Sequence, residues 1–272
     1  MNRGVITAVV IVIILFVAAR FYFTGETGQP EQTRQVTVPT AKPAPPAENK
    51  APTIKHPIYE IQVGAKKREM PDINQKAMPT LANSDAPLRQ DLSGLFDAGQ
   101  MKMFVFKNLI RHFVVTVDNL PRQKLPQQDR FVSAVPGGFK AEEAGGKDKY
   151  ILSNANYARY EPFVKLAESV DLKKLVTLYT EYYSLFQQAY QELGYPDSYF
   201  NDRLVEVIKH LLAAPEPQGP VKLVQPKVFY QFADPDLEKL SAGQKLLIRM
   251  GPDNERRVKI VLRRLLRMLV KS

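Results

Sequence analysis

LKKLVTLYTEYYSLFQQAYQELGYPDSYFNDRLVEVIKHLLA, residues 172–213, is the stretch that decides the fold. Apolar side chains recur at helical spacing from Leu172 to Leu193, and Asp171 stands where a helix cap is expected. The turn Gly194–Asp197 ends this helix, and a second amphipathic stretch runs on to Ala213. Two helices joined by so short a turn predict an antiparallel hairpin, which we expect at the centre of a domain.

The same periodicity predicts further helices on both sides of the hairpin. A segment from Lys102 to Asp118 is the most apolar outside the N-terminal stretch and should form a central, largely buried helix. Capping residues are expected at Ser84, at Asp197 or Ser198, and at Ser241, and Pro162 should restart a helix. The predicted helices are 84–99, 102–118, 154–169, 172–193, 198–213, 242–250 and 252–270.

Short strand-like pieces occur between Phe131 and Leu152, around two glycine pairs, and predict a small β-hairpin. Residues 214–233 are rich in proline but too aromatic for a solvated linker, so we expect an extended connection packed on the helices. The fold class predicted for residues 81–272 is therefore mainly α, a helical bundle with a small β-hairpin.

The N-terminal stretch Val5–Phe23 predicts a transmembrane helix, because Arg20 is its only charge and it is long enough to cross a bilayer. A cleaved signal peptide is the alternative, with small residues at Val17–Ala19, but the aromatic residues that follow favour a retained anchor. Charge at residues 1–4 favours a cytoplasmic N-terminus. We therefore expect a single-pass inner-membrane protein whose domain lies in the periplasm.

Residues 24–80 are rich in proline and poor in large apolar side chains, which predicts a disordered linker. The alternation in Ile58–Val63 would suit an edge strand, but a chance cluster within the linker is the favoured interpretation. His56 has no partner at metal-ligand spacing and is interpreted as a solvated linker residue.

Composition excludes several kinds of chemistry. The chain has no cysteine, which excludes disulfides, thiol nucleophiles, iron–sulfur clusters and cysteine-ligated zinc. The glycine pairs lack the lysine and hydroxyl residue of a phosphate loop, so no cofactor is predicted. The net charge of +10 favours an anionic neighbour such as lipid headgroups or a cell-wall polymer. Binding to nucleic acid would require the inverted topology and is not expected.

The last predicted helix, 252–270, has one apolar side and one basic side. A basic side of this kind suits contact with an anionic surface. A solvated face on a docked terminal helix is the favoured alternative. The candidate contacts are Arg256, Arg257, Lys259, Arg263, Arg264 and Arg267.

Polar residues gather near the ends of the central hairpin and predict a contact surface. Asp202 and Glu206 share a helix face there, as a carboxylate pair for glycan hydrolysis would, although helix caps and exposed ion pairs explain them better. His112 and His210 lack partners at the spacing of a catalytic dyad or a metal site. The candidate contact residues are Asn119, Arg122, Lys124, Tyr195, Asp197, Asn201, Asp202, Arg203, Gln225 and Lys227.

Five polar strings occur at the predicted helix ends and turns. They are DNLPRQKLP (118–126), NYARY (156–160), GYPDSYFNDRL (194–204), QPKVFYQFADPDLE (225–238) and SAGQKLL (241–247). Together they resemble a family of Gram-negative envelope proteins known only as domain of unknown function 3014. The resemblance covers roughly Leu81–Ser272, as well as the order of anchor and proline-rich linker.

That resemblance implies the topology but no activity, so no catalytic residue is carried over to this chain. We expect a membrane-anchored periplasmic protein that acts as a binding or scaffolding module of an envelope assembly, with an envelope protein as its partner. A hydrolase of cell-wall glycan is the alternative. Enzymatic activity is the less favoured of the two.

Overall fold

The computed structural model describes residues 53–58, 78–125, 131–146 and 149–270. The predicted anchor and most of the predicted linker lie outside these ranges. Among the described residues, no helix has both the length and the apolar character that crossing a bilayer requires.

The described residues form eleven helices and one small sheet. The 3-10 turn Leu81–Asn83 comes directly before the first helix. The helices are α1 (Asp85–Ser93), α2 (Ala98–Met101), α3 (Leu109–Asn119), α4 (Asn154–Ala158), α5 (Glu161–Ser169), α6 (Leu172–Glu181), α7 (Tyr183–Glu192), α8 (Phe200–Leu212), α9 (Pro235–Glu238), α10 (Ala242–Arg249) and α11 (Pro252–Leu269).

The core is built around α3, which contacts both α7 and α8. Its Phe113 is buried, and its ring meets those of Phe131, Phe186 and Phe200 at centroid distances of 5.4, 5.4 and 6.1 Å. Edge contacts between aromatic rings stabilise such a core beyond the burial of their area. On the other side, α11 packs on α5 and α8. The central position predicted for the α7–α8 pair is confirmed.

The helix predicted over residues 172–193 is divided at Tyr182, whose backbone angles (φ −92°, ψ 5°) end α6 and begin α7. The buried Tyr182 side chain donates a hydrogen bond of 2.7 Å to the carboxylate of Asp91 in α1. This contact accompanies the break, so continuous helical periodicity did not guarantee a continuous helix.

The helix predicted from Lys102 begins only at Leu109. Asn108 adopts a left-handed conformation (φ 53°), and the carboxylate of Asp85 accepts hydrogen bonds from the backbone N–H groups of Asn108 and Leu109. The residues before it run instead beside residues 131–133, where the Val105 N–H donates to the Phe131 carbonyl. A carboxylate from α1 thus sets the start of α3.

Other helix ends also differ from their predicted positions. The first helix ends at Ser93, not at Gly99, and Asp97 caps the separate helix α2. Ser84 precedes α1, but its hydroxyl donates to the Leu81 carbonyl and caps no N–H group. Tyr199 occupies the position before α8, where Asp197 or Ser198 was expected. The caps at Asp171 and Ser241 and the restart at Pro162 are confirmed.

The sheet has four antiparallel strands in the order β1 (Ala141–Glu143), β2 (Lys149–Leu152), β3 (Lys222–Val224) and β4 (Gln231–Phe232). The predicted hairpin is confirmed as β1–β2, and the extended connection adds β3 and β4 to it. Leu223 lies opposite both Tyr150 and Phe232, so these side chains share the sheet face that packs against Ile248 of α10. The sheet therefore has a small core of its own.

The junction between α10 and α11 is held by the NYARY string. Asn156 donates from Nδ2 to the Arg249 carbonyl at 2.8 Å, and Asn254 donates to the Tyr157 carbonyl at 3.0 Å. At Gly251 the backbone is left-handed (φ 88°), and a Cβ atom there would lie 2.4 Å from the Tyr157 ring. Only glycine fits this junction.

We therefore predict that Gly251→Ala lowers the free energy of unfolding by about 3 kcal/mol, from backbone strain and the clash with Tyr157 together. Gly219→Ala is the matched control, because Gly219 also has a positive φ but no atom within 4 Å of an added Cβ. It should cost only about 1 kcal/mol. Urea unfolding followed by circular dichroism measures both, and equal losses would contradict the argument.

Candidate functional site

The end of α3 carries a buried carboxylate that two arginines and a tyrosine contact. The Asp118 carboxylate accepts hydrogen bonds from Arg122 Nη2 at 2.7 Å, from Arg203 Nε at 3.0 Å and from the Tyr195 hydroxyl at 3.2 Å. Arg203 also donates from Nη2 to the Asp118 carbonyl at 2.8 Å. We call Asp118, Arg122, Tyr195 and Arg203 the Asp118 cluster.

The side chains of the Asp118 cluster range from buried to more than half exposed. The side chain of Asp118 is 3% exposed and that of Arg203 is 17% exposed, whereas that of Arg122 is 54% exposed. Burial opposes the charge of Arg203, but Asp118 and Glu206 outweigh it and raise the pKa of the guanidinium. Charge-assisted bonds of this kind fix geometry strongly. Arg122 is therefore held in place at its Nη2 atom and still faces solvent.

Aromatic packing also holds Tyr195 of the Asp118 cluster in place. Tyr190 of α7 stacks on Tyr195 with ring centroids 4.7 Å apart. Burial raises the pKa of Tyr190 to about 12, with a smaller contribution from Asp118. Tyr190 therefore stays protonated near neutral pH, which suits a positioning role better than proton transfer.

The loop after Asp118 is fixed by the start of α10. The Ala242 N–H donates to the Arg122 carbonyl at 2.7 Å, and the Gly243 N–H donates to the Leu120 carbonyl at 3.0 Å. These donors belong to the first turn of a helix, where N–H groups have no partner within the helix. Three of the polar strings, at residues 118–126, 194–204 and 241–247, therefore meet at one end of the bundle.

A second set of contacts involves residues 53–58, which we call the docked segment. The Asp202 carboxylate accepts from the Lys55 N–H at 3.0 Å and from the His56 N–H at 2.6 Å, and Asn201 Nδ2 donates to the His56 carbonyl at 2.7 Å. Ile58 packs against the main core. The interpretation of His56 as a solvated residue is wrong: it is half-buried and bound through its main chain.

One turn of α8 thus carries both sets of contacts. Asn201 and Asp202 face the docked segment, and the next residue, Arg203, faces Asp118. Asp118 was absent from the residues predicted for the contact surface, although its position four residues before Arg122 at the end of an apolar helix was a usable signal. The polar contacts of the docked segment gave no signal in the sequence, because they are made by its main-chain atoms.

The remaining predicted contact residues divide into two groups. Lys124 and Asp197 are exposed in the loops that carry Arg122 and Tyr195. Asn119 donates to the Val115 carbonyl of its own helix at 2.7 Å. Elsewhere, Gln225 and Lys227 lie in the turn between β3 and β4, where Gln225 donates to the Val228 carbonyl at 3.0 Å. Within the described ranges, neither Gln225 nor Lys227 forms a hydrogen bond or ion pair with the Asp118 cluster.

The carboxylate pair Asp202 and Glu206 is occupied by other partners. Asp202 binds the docked segment, and the exposed Glu206 accepts from Arg203 at 3.1 Å. His210 lies 2.8 Å from the Ser241 hydroxyl, and burial lowers its pKa. Across the part of the chain that the structure describes, no three acidic or histidine side chains are grouped as metal ligands would be.

Two of the six basic residues predicted as surface contacts on α11 have internal roles. Arg257 forms ion pairs with Glu161 at 2.7 Å and Glu168 at 2.6 Å. Lys259 is buried and lies 2.8 Å from both Glu255 and Glu216. Carboxylates of the same domain therefore engage both side chains, on the surface for Arg257 and in a buried position for Lys259.

The other four basic residues are exposed on one stripe of α11. Arg256 pairs with Asp253. Arg263, Arg264 and Arg267 form no ion pair with any described residue, and the exposed Ile260 lies among them. The stripe therefore presents three exposed guanidinium groups, without an ion pair among the described residues, beside one apolar side chain.

A family model described as "Protein of unknown function (DUF3014)" matches residues 109–266. The match extends from the start of α3 into the last turns of α11 and includes the whole Asp118 cluster. The docked segment precedes it. No curated protein and no solved structure matches the chain.

We predict that Asp118→Asn lowers the free energy of unfolding by about 3 kcal/mol, because the buried part of the cluster loses the charge that compensates Arg203. Arg122→Gln is the matched control. It removes a partner of the same carboxylate that is largely exposed, and should cost less than about 1 kcal/mol. Urea unfolding measures both variants, and a similar loss for the two would show that Asp118 does not organise the cluster.

Proposed function

The chain belongs to the family described as protein of unknown function (DUF3014), and from that premise we propose that it is a membrane-anchored, periplasm-facing binding module of an envelope assembly. The proposed contact surface is the exposed side of the Asp118 cluster. It consists of Arg122 and Tyr195 together with their exposed neighbours Lys124 and Asp197. The anchor in this proposal is the apolar stretch at residues 5–23.

One observation carries the proposal: Arg122 is fixed and exposed at the same time. Its Nη2 atom donates to Asp118 at 2.7 Å and to the Tyr195 hydroxyl at 2.9 Å, yet 54% of its side chain is exposed. A guanidinium has five N–H donors, so several remain for a partner's carboxylate. An arginine held in advance loses little side-chain entropy on binding, and arginine and tyrosine are enriched at protein interfaces.

The alternative, a hydrolase of cell-wall glycan, has weaker support. Such an enzyme needs one carboxylic acid and one carboxylate facing the same sugar. Asp202 instead binds two main-chain N–H groups, and Glu206 is exposed beside Arg203. Both carboxylates have non-catalytic partners, which favours a binding role for this end of the domain.

The arginine stripe of α11 supports a second contact, with an anionic lipid surface or a cell-wall polymer. Arg263, Arg264 and Arg267 are exposed and unpaired among the described residues. Guanidinium groups bind phosphate oxygens well, and three of them on one helix face would act together. The helix is docked through its apolar side, so this contact is electrostatic rather than an insertion into the bilayer.

A photo-crosslinking amino acid at Lys124, in the full chain in intact cells, tests the protein contact. We expect a discrete protein adduct that Arg122→Glu reduces at least tenfold. Lys173→Glu reverses one exposed charge on α6 and is the matched control, so it should leave the adduct unchanged. An adduct consisting only of lipid or glycan, or one that Arg122→Glu does not affect, would contradict the proposal.

The two proposed activities can also be separated by Asp202→Asn with Glu206→Gln. A hydrolase would lose its function in cells while the domain stays folded and the Lys124 adduct persists. The binding proposal expects that neither the purified wild-type chain nor the purified double variant cleaves glycan. Release of glycan fragments that requires both carboxylates would favour the enzyme.

For the arginine stripe, we predict that Arg263→Gln, Arg264→Gln and Arg267→Gln together reduce binding to anionic vesicles by at least tenfold at low salt. The matched control replaces three exposed lysines, Lys173, Lys174 and Lys209, by glutamine and so has the same net charge. Vesicle sedimentation of the chain without residues 1–23 measures this difference. Equal losses for the two triple variants would show an effect of net charge alone.

A further inference from the structure

The docked segment is bound almost entirely through its main chain. Its three hydrogen bonds to α8 use the N–H groups of Lys55 and His56 and the carbonyl of His56. The side chain of Ile58 supplies an apolar contact with the core. Lys55 and His56 lie in a bend, and their consecutive N–H groups donate to the same carboxylate. The site therefore recognises a bent main chain with one apolar residue two positions later, and it places few demands on the other side chains.

The receiving residues are positioned by the domain itself. Asn201 is buried, and its Oδ1 accepts a hydrogen bond of 3.2 Å from the Tyr179 hydroxyl. The Tyr183 hydroxyl lies near the Asn201 N–H, and its ring meets that of Tyr179 edge-on at 5.7 Å. Burial raises the pKa of Tyr183 to about 12, so it stays protonated near neutral pH. Residues of α6, α7 and α8 thus hold Asn201 in position.

We infer that Asn201 and Asp202 form a binding site for a bent polypeptide segment, which Lys55–Ile58 occupies in cis and which a segment of a partner protein can take by exchange. The cis segment makes few contacts and must be ordered to make them, so its occupancy is exchangeable. We call Asn201 and Asp202, with the contact surface for Ile58, the segment site.

The geometry favours a partner protein over a second copy of this chain. The cis segment is joined to the domain through residues 59–77, and a connection of that length gives an effective concentration on the order of millimolar. A second copy offers only the same segment and would need a comparable free concentration. A partner that also contacts Arg122 gains avidity, because Arg203 of the Asp118 cluster directly follows the segment site on α8.

The identity of the partner in this inference rests on the proposed function, but the existence of the site does not. A peptide from the chain itself, APTIKHPIYE (residues 51–60), is a sufficient probe. The test uses the full chain in detergent, as wild type and as His56→Pro with Ile58→Asp. The proline removes the N–H group that donates to Asp202, and the aspartate removes the apolar contact, so this variant should release its own segment.

Fluorescence anisotropy of the labelled peptide should show binding to the released variant that is at least tenfold tighter than binding to wild type. A peptide with proline in place of His56 should bind at least tenfold more weakly. Adding Asp202→Asn to the released variant should abolish binding, whereas Asp236→Asn, on an aspartate of α9 whose side chain is 90% exposed, should not. Equal binding to wild type and released variant, or no loss with Asp202→Asn, would overturn the inference.

The absence of cysteine allows an independent readout of the cis segment. A spin label on Ile54→Cys, next to the bonded residues, should be immobile in the wild-type background and become mobile with excess peptide or with Asp202→Asn. A label that is mobile from the start, or that stays immobile in the Asp202→Asn chain, would also overturn the inference. Neither readout needs an envelope partner, so failure here is distinct from failure of the Lys124 crosslink.

Discussion

The end of the bundle that carries the candidate site depends on a buried negative charge, the carboxylate of Asp118. A charge removed from water is costly unless it is paired and hydrogen-bonded, and Asp118 has partners on α8 and on two loops. The loop that carries Arg122 is fixed in turn by the first N–H groups of α10. A single side chain therefore holds together elements that are far apart in the sequence. Its hydrogen bond also fixes the exposed guanidinium of Arg122 in place.

Most of the helical architecture could be predicted from the sequence, because apolar periodicity depends only on neighbours within a few residues. The predictions were wrong where a distant residue decides the outcome. Asp85 sets the start of α3, and Tyr182 breaks a periodic segment where it bonds Asp91. The strands β3 and β4 are too short for an alternating pattern and exist through pairing with each other and with β2.

Prediction of the site was also limited by contacts between residues that are distant in the sequence. Arg122, Tyr195 and Arg203 were identified as candidates from polar strings at helix ends, and the structure brings them together. Charge alone did not show which cations of α11 have buried partners, since Glu216 pairs with Lys259 across 43 residues of chain. The docked segment could not be predicted, because the N–H and carbonyl groups that bind α8 are present in nearly every residue.

In the proposed anchored arrangement, the docked segment would also determine how far the domain can stand from the membrane. For a chain anchored through residues 5–23, an undocked linker would offer residues 24–80, a contour length of roughly 200 Å when fully extended. With Lys55 bound to α8, only residues 24–54 separate the anchor from the domain, and the contour length falls to roughly 100 Å. In such a chain, two hydrogen bonds to one carboxylate would shorten the tether and halve the greatest distance from the anchor that the domain can reach.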